Sequence, residues 1–142
     1  MRKTKVFVDS DVVISSLLSE KGAAYLLLNE QKSNFVISNI SKTELEVVIK
    51  RLKIDQNRLQ TLVKKHLKVI KLKKEISRIK KDFRIYTTDI DDTHIVAGAA
   101  SSKAKFLLTY NIRHFQRQKI NEDLGIVVLN PAQYLQYLKS LE

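Results

Sequence analysis

The fold of this chain is decided by a segment close to its amino terminus, Lys5-Val6-Phe7-Val8-Asp9-Ser10-Asp11-Val12-Val13. The run from Lys5 to Val8 is short and β-rich, as expected of a buried strand. From Val12 to Leu18 the apolar residues recur at helical spacing, so a helix follows directly. A strand that passes through an acidic turn into a helix is typical of the first unit of a parallel α/β fold.

The rest of the chain repeats this alternation. Further strands are predicted at residues 35–38, 67–72, 106–109 and 126–129, and helices at 23–30, 55–66 and 92–101. Ser41 and Glu44 have the spacing of a capping box that opens a helix ending near residue 52, and Pro131 begins a terminal helix. Residues 73–81 fit a helix or a loop. We therefore predict an α/β fold, a three-layer α/β/α sandwich with a central, mostly parallel sheet.

Length and composition bound what the chain can be. With 142 residues, 44% of them hydrophobic, we expect a single domain over residues 1–142. No apolar run approaches the roughly 18 residues of a membrane span, and the start Met1-Arg2-Lys3-Thr4 leads into a strand instead of a signal-peptide segment. We expect a soluble, cytoplasmic protein without a membrane partner. The absence of cysteine excludes disulfides and thiolate metal sites, so any metal must bind oxygen or histidine ligands.

Acidic and polar side chains gather where the predicted strands end or the next helices start. They are Asp9 with Asp11, Glu44 with Glu46, the group Asp89, Asp91 and Asp92, and the run Thr109-Tyr110-Asn111. Because the carboxyl ends of parallel strands meet at one edge of a sheet, these distant residues can converge there. The pattern predicts a carboxylate-lined metal site. Glu44 and the acids at 89–92 could also cap helices, which is compatible with metal binding, but Asp9 has no such need.

The chain is basic overall, and its excess charge is local. The net charge is +11, and residues 50–84 hold 14 Lys or Arg against 3 Asp or Glu, which accounts for all of it. Because lysines attract a phosphate backbone without reading sequence, this basic stretch favours nucleic-acid binding over a merely solvated face. An acidic protein segment could use the same surface. The nucleic-acid-binding candidates are Lys64, Lys65, Lys68, Lys73, Lys74, Lys80, Lys81 and, beyond the stretch, Arg113.

Four segments resemble, in order, the four motifs of the PIN domain. They are Val6-Phe7-Val8-Asp9-Ser10-Asp11-Val12, Ser41-Lys42-Thr43-Glu44-Leu45, the run from Asp89 to Ala99, and the run from Leu107 to Phe115. The resemblance spans nearly the whole chain and is closest to small single-domain prokaryotic PIN proteins that are often the toxin of a toxin-antitoxin pair. It implies a metal-dependent endoribonuclease that hydrolyses RNA phosphodiester bonds, with RNA and a cognate antitoxin as partners and a homodimer as the assembly.

The resemblance also implies a role for each acid. Asp9, Glu44 and Asp92 would be the core acids that hold Mg²⁺ or Mn²⁺. Asp89 would be an outer residue, and Asp91 would compete with Asp92 for the core position. A hard divalent cation takes oxygen ligands and keeps several waters, which suits such a set.

The fourth motif departs from the commonest family pattern at one position. Asn111 stands where most members carry Asp, so it would be a neutral ligand or would position a water, and the number of metals stays open. Thr109 would hydrogen-bond a carboxylate or a metal-bound water. Both residues join the three core acids as catalytic candidates.

Three other interpretations compete with parts of this one. The opening Asp9-Ser10-Asp11-Val12 also fits haloacid-dehalogenase-like phosphatases, with Asp9 as nucleophile and Ser38 after the second strand. A non-catalytic PIN fold that binds RNA or protein is the non-enzyme alternative. Finally, the histidines could be bases or ligands, but His94 falls on a different helix face from Asp92, so we expect a partly buried or surface histidine there.

Overall fold

The computed structural model describes residues 3–142 and contains one sheet. Its strands are β1 (Lys5–Val8), β2 (Asn34–Ser38), β3 (Leu67–Ile70), β4 (Phe106–Leu108) and β5 (Val127–Leu129). All neighbouring strands pair in parallel, in the order β3-β2-β1-β4-β5. Met1 and Arg2, which begin the segment expected to lead into β1, lie outside the described residues.

Helices connect the strands. They are α1 (Ser10–Leu18), α2 (Ala23–Glu30), α3 (Asn39–Arg51), α4 (Gln56–His66), α5 (Ile76–Phe83), α6 (Thr93–Ser101), α7 (Arg117–Leu124) and α8 (Pro131–Ser140). Short 3₁₀ turns lie at Arg84–Tyr86, Ile90–Asp92 and Ile112–His114. None of the helices in the described part of the chain is both long and apolar enough to cross a membrane.

Alternating side chains of the sheet enter two separate apolar clusters. Val6 and Val8 of β1 face a cluster that includes residues of α1, α2, α3, α4 and α8. Phe7, between them, faces a cluster with residues of α6 and α7. A sheet buried on both faces by helices is a three-layer α/β/α sandwich, as the sequence predicts, and its strands are accordingly almost wholly apolar.

The strand order places a crevice at the end of β1. The chain moves outward from β1 to β2 and β3, and it then returns to β4 on the other side of β1. In a parallel sheet, ligands bind outside the carboxyl ends of the strands at the point where the order reverses. Asp9 directly follows β1 and Thr109 directly follows β4, so both stand at this point.

A glycine lets the second helical layer approach β1 closely. Gly98 of α6 lies against the ring of Phe7, and a Cβ added at Gly98 would overlap that ring. The close approach brings the start of α6, and with it Asp92, toward the end of β1.

The start of α3 differs from the prediction. Ser38 is the N-cap, and its Oγ accepts a hydrogen bond from the backbone N–H of Ser41 (3.1 Å). The predicted capping box between Ser41 and Glu44 is therefore wrong, because the helix begins at Asn39, nearer to the end of β2. Glu44 is left free of capping and contacts a different partner.

Candidate active site

The centre of the site is a hydrogen-bonded group at the ends of β1 and β4. The Asp9 carboxyl is 9% exposed, and Thr109 Oγ1 donates to its Oδ2 over 2.9 Å. The backbone N–H of Tyr110 donates to Asp11 Oδ2 (3.0 Å), and that of Asn111 donates to Thr109 Oγ1 (3.0 Å). The prediction that Thr109 binds a carboxylate is confirmed. The fourth motif thus holds the two aspartates of the first motif in place.

Two of these carboxyl groups are difficult to ionise. Burial raises the pKa of Asp9 to about 7, and the charges of Asp11 and Asp92 add to the rise, while the hydrogen bond from Thr109 opposes it. Burial also raises the pKa of Asp11, against the opposing backbone N–H groups of Tyr110 and Val12. A concentration of carboxylates that raise one another's pKa at a sheet edge marks a functional site more often than a structural one.

The acidic cluster at 89–92 contributes one of its members. Asp92 has a half-buried side chain, its pKa is raised chiefly by burial, and its charge acts on Asp9. The side chain of Asp91 is 77% exposed and lies 3.5 Å from Lys80 Nζ. Asp89 Oδ1 accepts the backbone N–H of Asp91 (2.9 Å) and so closes the turn. Asp92 therefore faces the buried aspartates, whereas Asp91 faces a lysine and Asp89 holds the loop.

Glu44 and Asp92 each contact a histidine. Glu44 Oε1 lies 3.1 Å from His94 Nε2, and Asp92 Oδ2 lies 3.1 Å from His114 Nδ1. His94 was expected to be partly buried or at the surface, but it is buried and contacts Glu44 of α3. Sequence reasoning missed both pairings, since helix spacing does not show which distant element a face will meet.

Asp11 was not among the predicted ligands, but it belongs to the site. Its Oδ2 is bound by Tyr110, and its Oδ1 is buried without a hydrogen-bond partner among residues 3–142. A buried carboxylate oxygen without a donor is costly unless a ligand supplies one. The sequence signal was present in the Asp-x-Asp that directly follows the first strand.

The donor set fits a hard divalent cation. Asp9, Asp11, Asp92 and Glu44 offer carboxylate oxygens at one edge, and among residues 3–142 no lysine or arginine forms an ion pair with any of the four. Within the described residues, no three acidic or histidine side chains converge closely enough to enclose an ion. One oxygen of Glu44 contacts His94, and one oxygen of Asp92 contacts His114. The Asn111 side chain is exposed, and its backbone N–H joins the network.

The basic stretch is divided between two edges of the sheet. Lys64 and Lys65 end α4 directly before β3, and Lys65 and Lys68 share a cavity with Lys5 and Asn34, the first residues of β1 and β2. These lysines lie at the side of the sheet where the parallel strands begin, which we call the amino edge. The acids lie at the opposite side, the carboxyl edge, where the strands end. The predicted role of these lysines in nucleic-acid binding stays a prediction.

The second half of the stretch lies at the carboxyl edge. The backbone N–H of Leu72 donates to Asn39 Oδ1 (2.8 Å), which holds the segment after β3 beside the start of α3. Lys73 and Lys74 follow and line a cavity with Ala100 and Ser101, at the end of α6 away from Asp92, and α5 then carries Lys80 and Lys81. Arg113, in the 3₁₀ turn after β4, is exposed at the same edge.

A cleft contains one of these lysines, Lys80, together with Glu44. It has a volume of about 280 Å³ and lies beside Glu44, between α3, α5 and the start of α6. Its other lining residues are Ile40, Ile76, Lys80, Asp91, Thr93 and His94. Larger clefts lie elsewhere, including one of about 400 Å³ between α1, α2 and α4, but that cleft contains none of the predicted core acids.

The phosphatase interpretation finds no support in the position of Ser38. That hydroxyl is fully buried, and it accepts the N–H of Ser41 as a helix cap. A phosphate-binding serine would have to face the crevice.

Comparison with known proteins agrees with the fold and with the order of the four motifs. The PIN domain family matches residues 5–113, more than half of the chain. A toxin-antitoxin complex from Klebsiella pneumoniae is similar in structure, with 21% identity and a TM-score of 0.66 over 89% of this chain and 97% of that one. VapBC2 from Rickettsia felis, bound to a DNA fragment from its promoter, has 15% identity and a TM-score of 0.63 over 89% of this chain and 98% of that one.

A third structure is more distant. VapC20 from Mycobacterium tuberculosis, a Sarcin-Ricin loop cleaving toxin, has 12% identity and a TM-score of 0.53 over 72% of this chain and 86% of that one. At these identities the likeness concerns the fold. A search of curated proteins finds no match to this sequence. On the family match, the ordered motifs and the crevice at the end of β1, the chain belongs to the PIN domain family.

Proposed function

We propose that this protein is a divalent-metal-dependent endoribonuclease that acts as the toxin of a toxin-antitoxin pair. The observation that carries the proposal is Asp9, a buried carboxyl whose pKa is raised to about 7 beside Asp11 and Asp92. A fold has no structural need to concentrate like charges in a crevice, and their repulsion lowers its stability. A bound cation removes this cost.

The cation would be Mg²⁺ or Mn²⁺, held by Asp9, Asp92 and Glu44, with Asp11 beside them. When bound, it would supply Lewis acidity toward water and toward the phosphate oxygens of RNA. Because the Asp9 carboxyl holds a proton up to about pH 7, metal binding must displace that proton. Thr109 keeps Asp9 in place through its 2.9 Å hydrogen bond, and Asn111 supports Thr109 from the backbone.

The lysines at the carboxyl edge would hold the RNA backbone. Lys80 lines the same cleft as Glu44, Lys81 follows it on α5, and Arg113 lies in the turn after β4. Their positive charge offsets the repulsion between the acids and a polyanion. Lys64, Lys65 and Lys68 lie at the amino edge, so we expect them to contribute less to holding RNA at the acids.

The partner and the location follow from likeness. The similar structures from Klebsiella pneumoniae and Rickettsia felis are toxin and antitoxin together. We propose a cognate antitoxin for this chain as well, a cytoplasmic location, and a homodimer as in related PIN proteins. Co-purification of the chain with the product of a neighbouring gene would test the partner.

Cleavage of a mixed pool of structured and single-stranded RNA tests the activity. The purified parent is compared with Asp9→Asn in Mg²⁺, Mn²⁺ or EDTA, and Glu46→Gln serves as the matched control, since Glu46 is an exposed acid on α3. We expect metal-dependent cuts by the parent and the control and none by Asp9→Asn. Intact RNA that the parent still binds would replace this proposal with the non-catalytic binding module.

A further inference from the structure

Two of the three histidines in the chain contact two of the three core acids. We propose that His94 and His114 are positioning residues that hold Glu44 and Asp92 for the divalent cation. The inference rests on the proposed function, because it concerns how the same site takes its metal. It assigns a task to two residues that touch neither substrate nor cation themselves.

His94 is suited to hold Glu44. Its side chain is 10% exposed, and Nε2 faces Glu44 Oε1 at 3.1 Å. A carboxylate only accepts hydrogen bonds, so Nε2 must carry the proton that joins them. Nδ1 is buried and has no partner within residues 3–142, so a proton there would be an unsatisfied buried donor. The surroundings thus favour the one tautomer that donates to Glu44.

Glu44 needs such a partner. Its side chain is 50% exposed and has three rotatable bonds, so without a partner it could adopt several rotamers. The contact also joins the two helical layers, because Glu44 belongs to α3 and His94 to α6. A carboxylate from one layer is thereby held against the other layer at the edge where Asp92 begins α6.

His114 does the same for Asp92 from the fourth motif. Its backbone is anchored on both sides: its N–H donates to the Asn111 carbonyl (2.9 Å), and its carbonyl accepts the N–H of Thr88 (2.8 Å). From this fixed turn, Nδ1 faces Asp92 Oδ2 at 3.1 Å. The motif therefore holds Asp9 through Thr109 and Asp92 through His114.

Each histidine uses one oxygen of its carboxylate. Oε1 of Glu44 and Oδ2 of Asp92 are occupied, which leaves Oε2 and Oδ1 for the cation. Partners that orient metal-binding side chains in this way commonly change metal affinity by about 10–100-fold when removed. His66, the third histidine, contacts Gln31 Nε2 at 3.2 Å and lies away from the acids. It provides a control of the same residue type.

Direct Mn²⁺ binding to the full chain tests the inference. Dissociation constants are measured by calorimetry for the parent, His94→Leu, His114→Leu, His94→Gln, His114→Asn and His66→Leu. An amide nitrogen of Gln can replace Nε2, and one of Asn can replace Nδ1. We expect both core-site Leu variants to bind Mn²⁺ about 10–100-fold more weakly. The amide variants should recover most of the affinity, and His66→Leu should match the parent.

The possible outcomes separate this inference from the proposed function. Equal affinity in the parent and all variants, or tighter binding by the Leu variants, would overturn the inference and leave the metal site standing. A parent that binds no Mn²⁺ would overturn both. His114 is 46% exposed, so His114→Leu should fold even if the buried His94→Leu does not. Thermal melts without metal confirm that each variant is folded.

Discussion

The acidic crevice and the basic stretch are built in opposite ways. The acids Asp9, Glu44 and Asp92 come from three separate parts of the sequence, and the fold assembles them at one sheet edge. The basic residues lie within one stretch of the sequence, and the fold separates Lys65 and Lys68, at the amino edge, from Lys80, which lies beside Glu44. Closeness along the chain is therefore a poor guide to shared function when a strand lies in between. Each residue of β3 adds about 3.3 Å between the two groups of lysines.

The two regions also differ in how much their charged groups lower the stability of the fold. Asp9 is buried with like charges around it, which raises its pKa to about 7. In the basic stretch, Lys74 and Arg78 pair with Asp82 on the surface at 3.0 Å and 3.3 Å. Exposed pairs of this kind contribute little to stability. The cost is thus concentrated in the acidic crevice, where a ligand can offset it.

The largest effect expected is loss of activity in the crevice. Asp92→Asn should lower the rate of RNA cleavage by at least about 100-fold, since a direct ligand matters more than its outer partner. Asp91→Asn, its neighbour, should stay within a few-fold of the parent because Asp91 faces Lys80. Initial rates with Mg²⁺ measure both. Equal losses in the two variants would contradict the assignment of Asp92 over Asp91.

A second prediction concerns stability and pH. The pKa of Asp9 is about 7 in the folded chain, against its usual 3.8, so the folded state binds more protons between these values. Stability without metal should therefore fall as pH rises from about 4 to 7. Asp9→Asn cannot ionise and should be more stable than the parent at pH 8, by on the order of 1.4 kcal/mol per pK unit of difference.

Urea titrations at pH 4 and pH 8 measure this difference. The advantage of Asp9→Asn should shrink toward pH 4, where the parent carboxyl is protonated in the folded state and about half protonated in the unfolded state. Glu46→Gln should show no such trend. If Asp9→Asn were less stable than the parent at pH 8, the ionised Asp9 carboxylate would destabilise the fold less than its raised pKa indicates.

A smaller effect is expected at Gly98. An added methyl would overlap the Phe7 ring, so Gly98→Ala should cost about 1–3 kcal/mol in the free energy of unfolding. Ala100→Gly on the same helix is the reverse change at a partly buried position and should cost about 1 kcal/mol through helix propensity alone. Thermal melts compare the two. A neutral Gly98→Ala would mean that α6 can move away from β1 without loss.

The smallest effect sharpens the contrast within the basic stretch. Removing Lys73, Lys80 and Lys81 together should weaken RNA binding about tenfold at moderate salt, and it should lower the salt slope by up to about 2. Removing Lys64, Lys65 and Lys68 takes away the same charge from the amino edge and should have a smaller effect. Titrations at several salt concentrations measure both. Equal effects would mean that RNA reaches both edges of the sheet.

Much of the fold could be predicted from local patterns. The strand at Lys5–Val8 and the helix at Ala23–Glu30 follow from apolar runs and periodicity, and the structure has them at those bounds. Helix α7 was not predicted, because Ile120 is its one buried residue and the rest of its sequence is polar. The start of α3 was misplaced by one turn, since Ser38 and Ser41 are both good caps and only the end of β2 selects between them.

The sequence by itself determined the alternation of strands and helices and the acids at strand ends, because apolar periodicity and turn chemistry are local properties. Only the tertiary structure decided that Asp92 rather than Asp91 faces Asp9, and that Glu44 and Asp92 meet His94 and His114. It also decided that Tyr110 binds one oxygen of Asp11 and that the other oxygen is buried without a partner among residues 3–142. Such contacts depend on the strand order and on the close packing of α6 against β1, which no local pattern encodes.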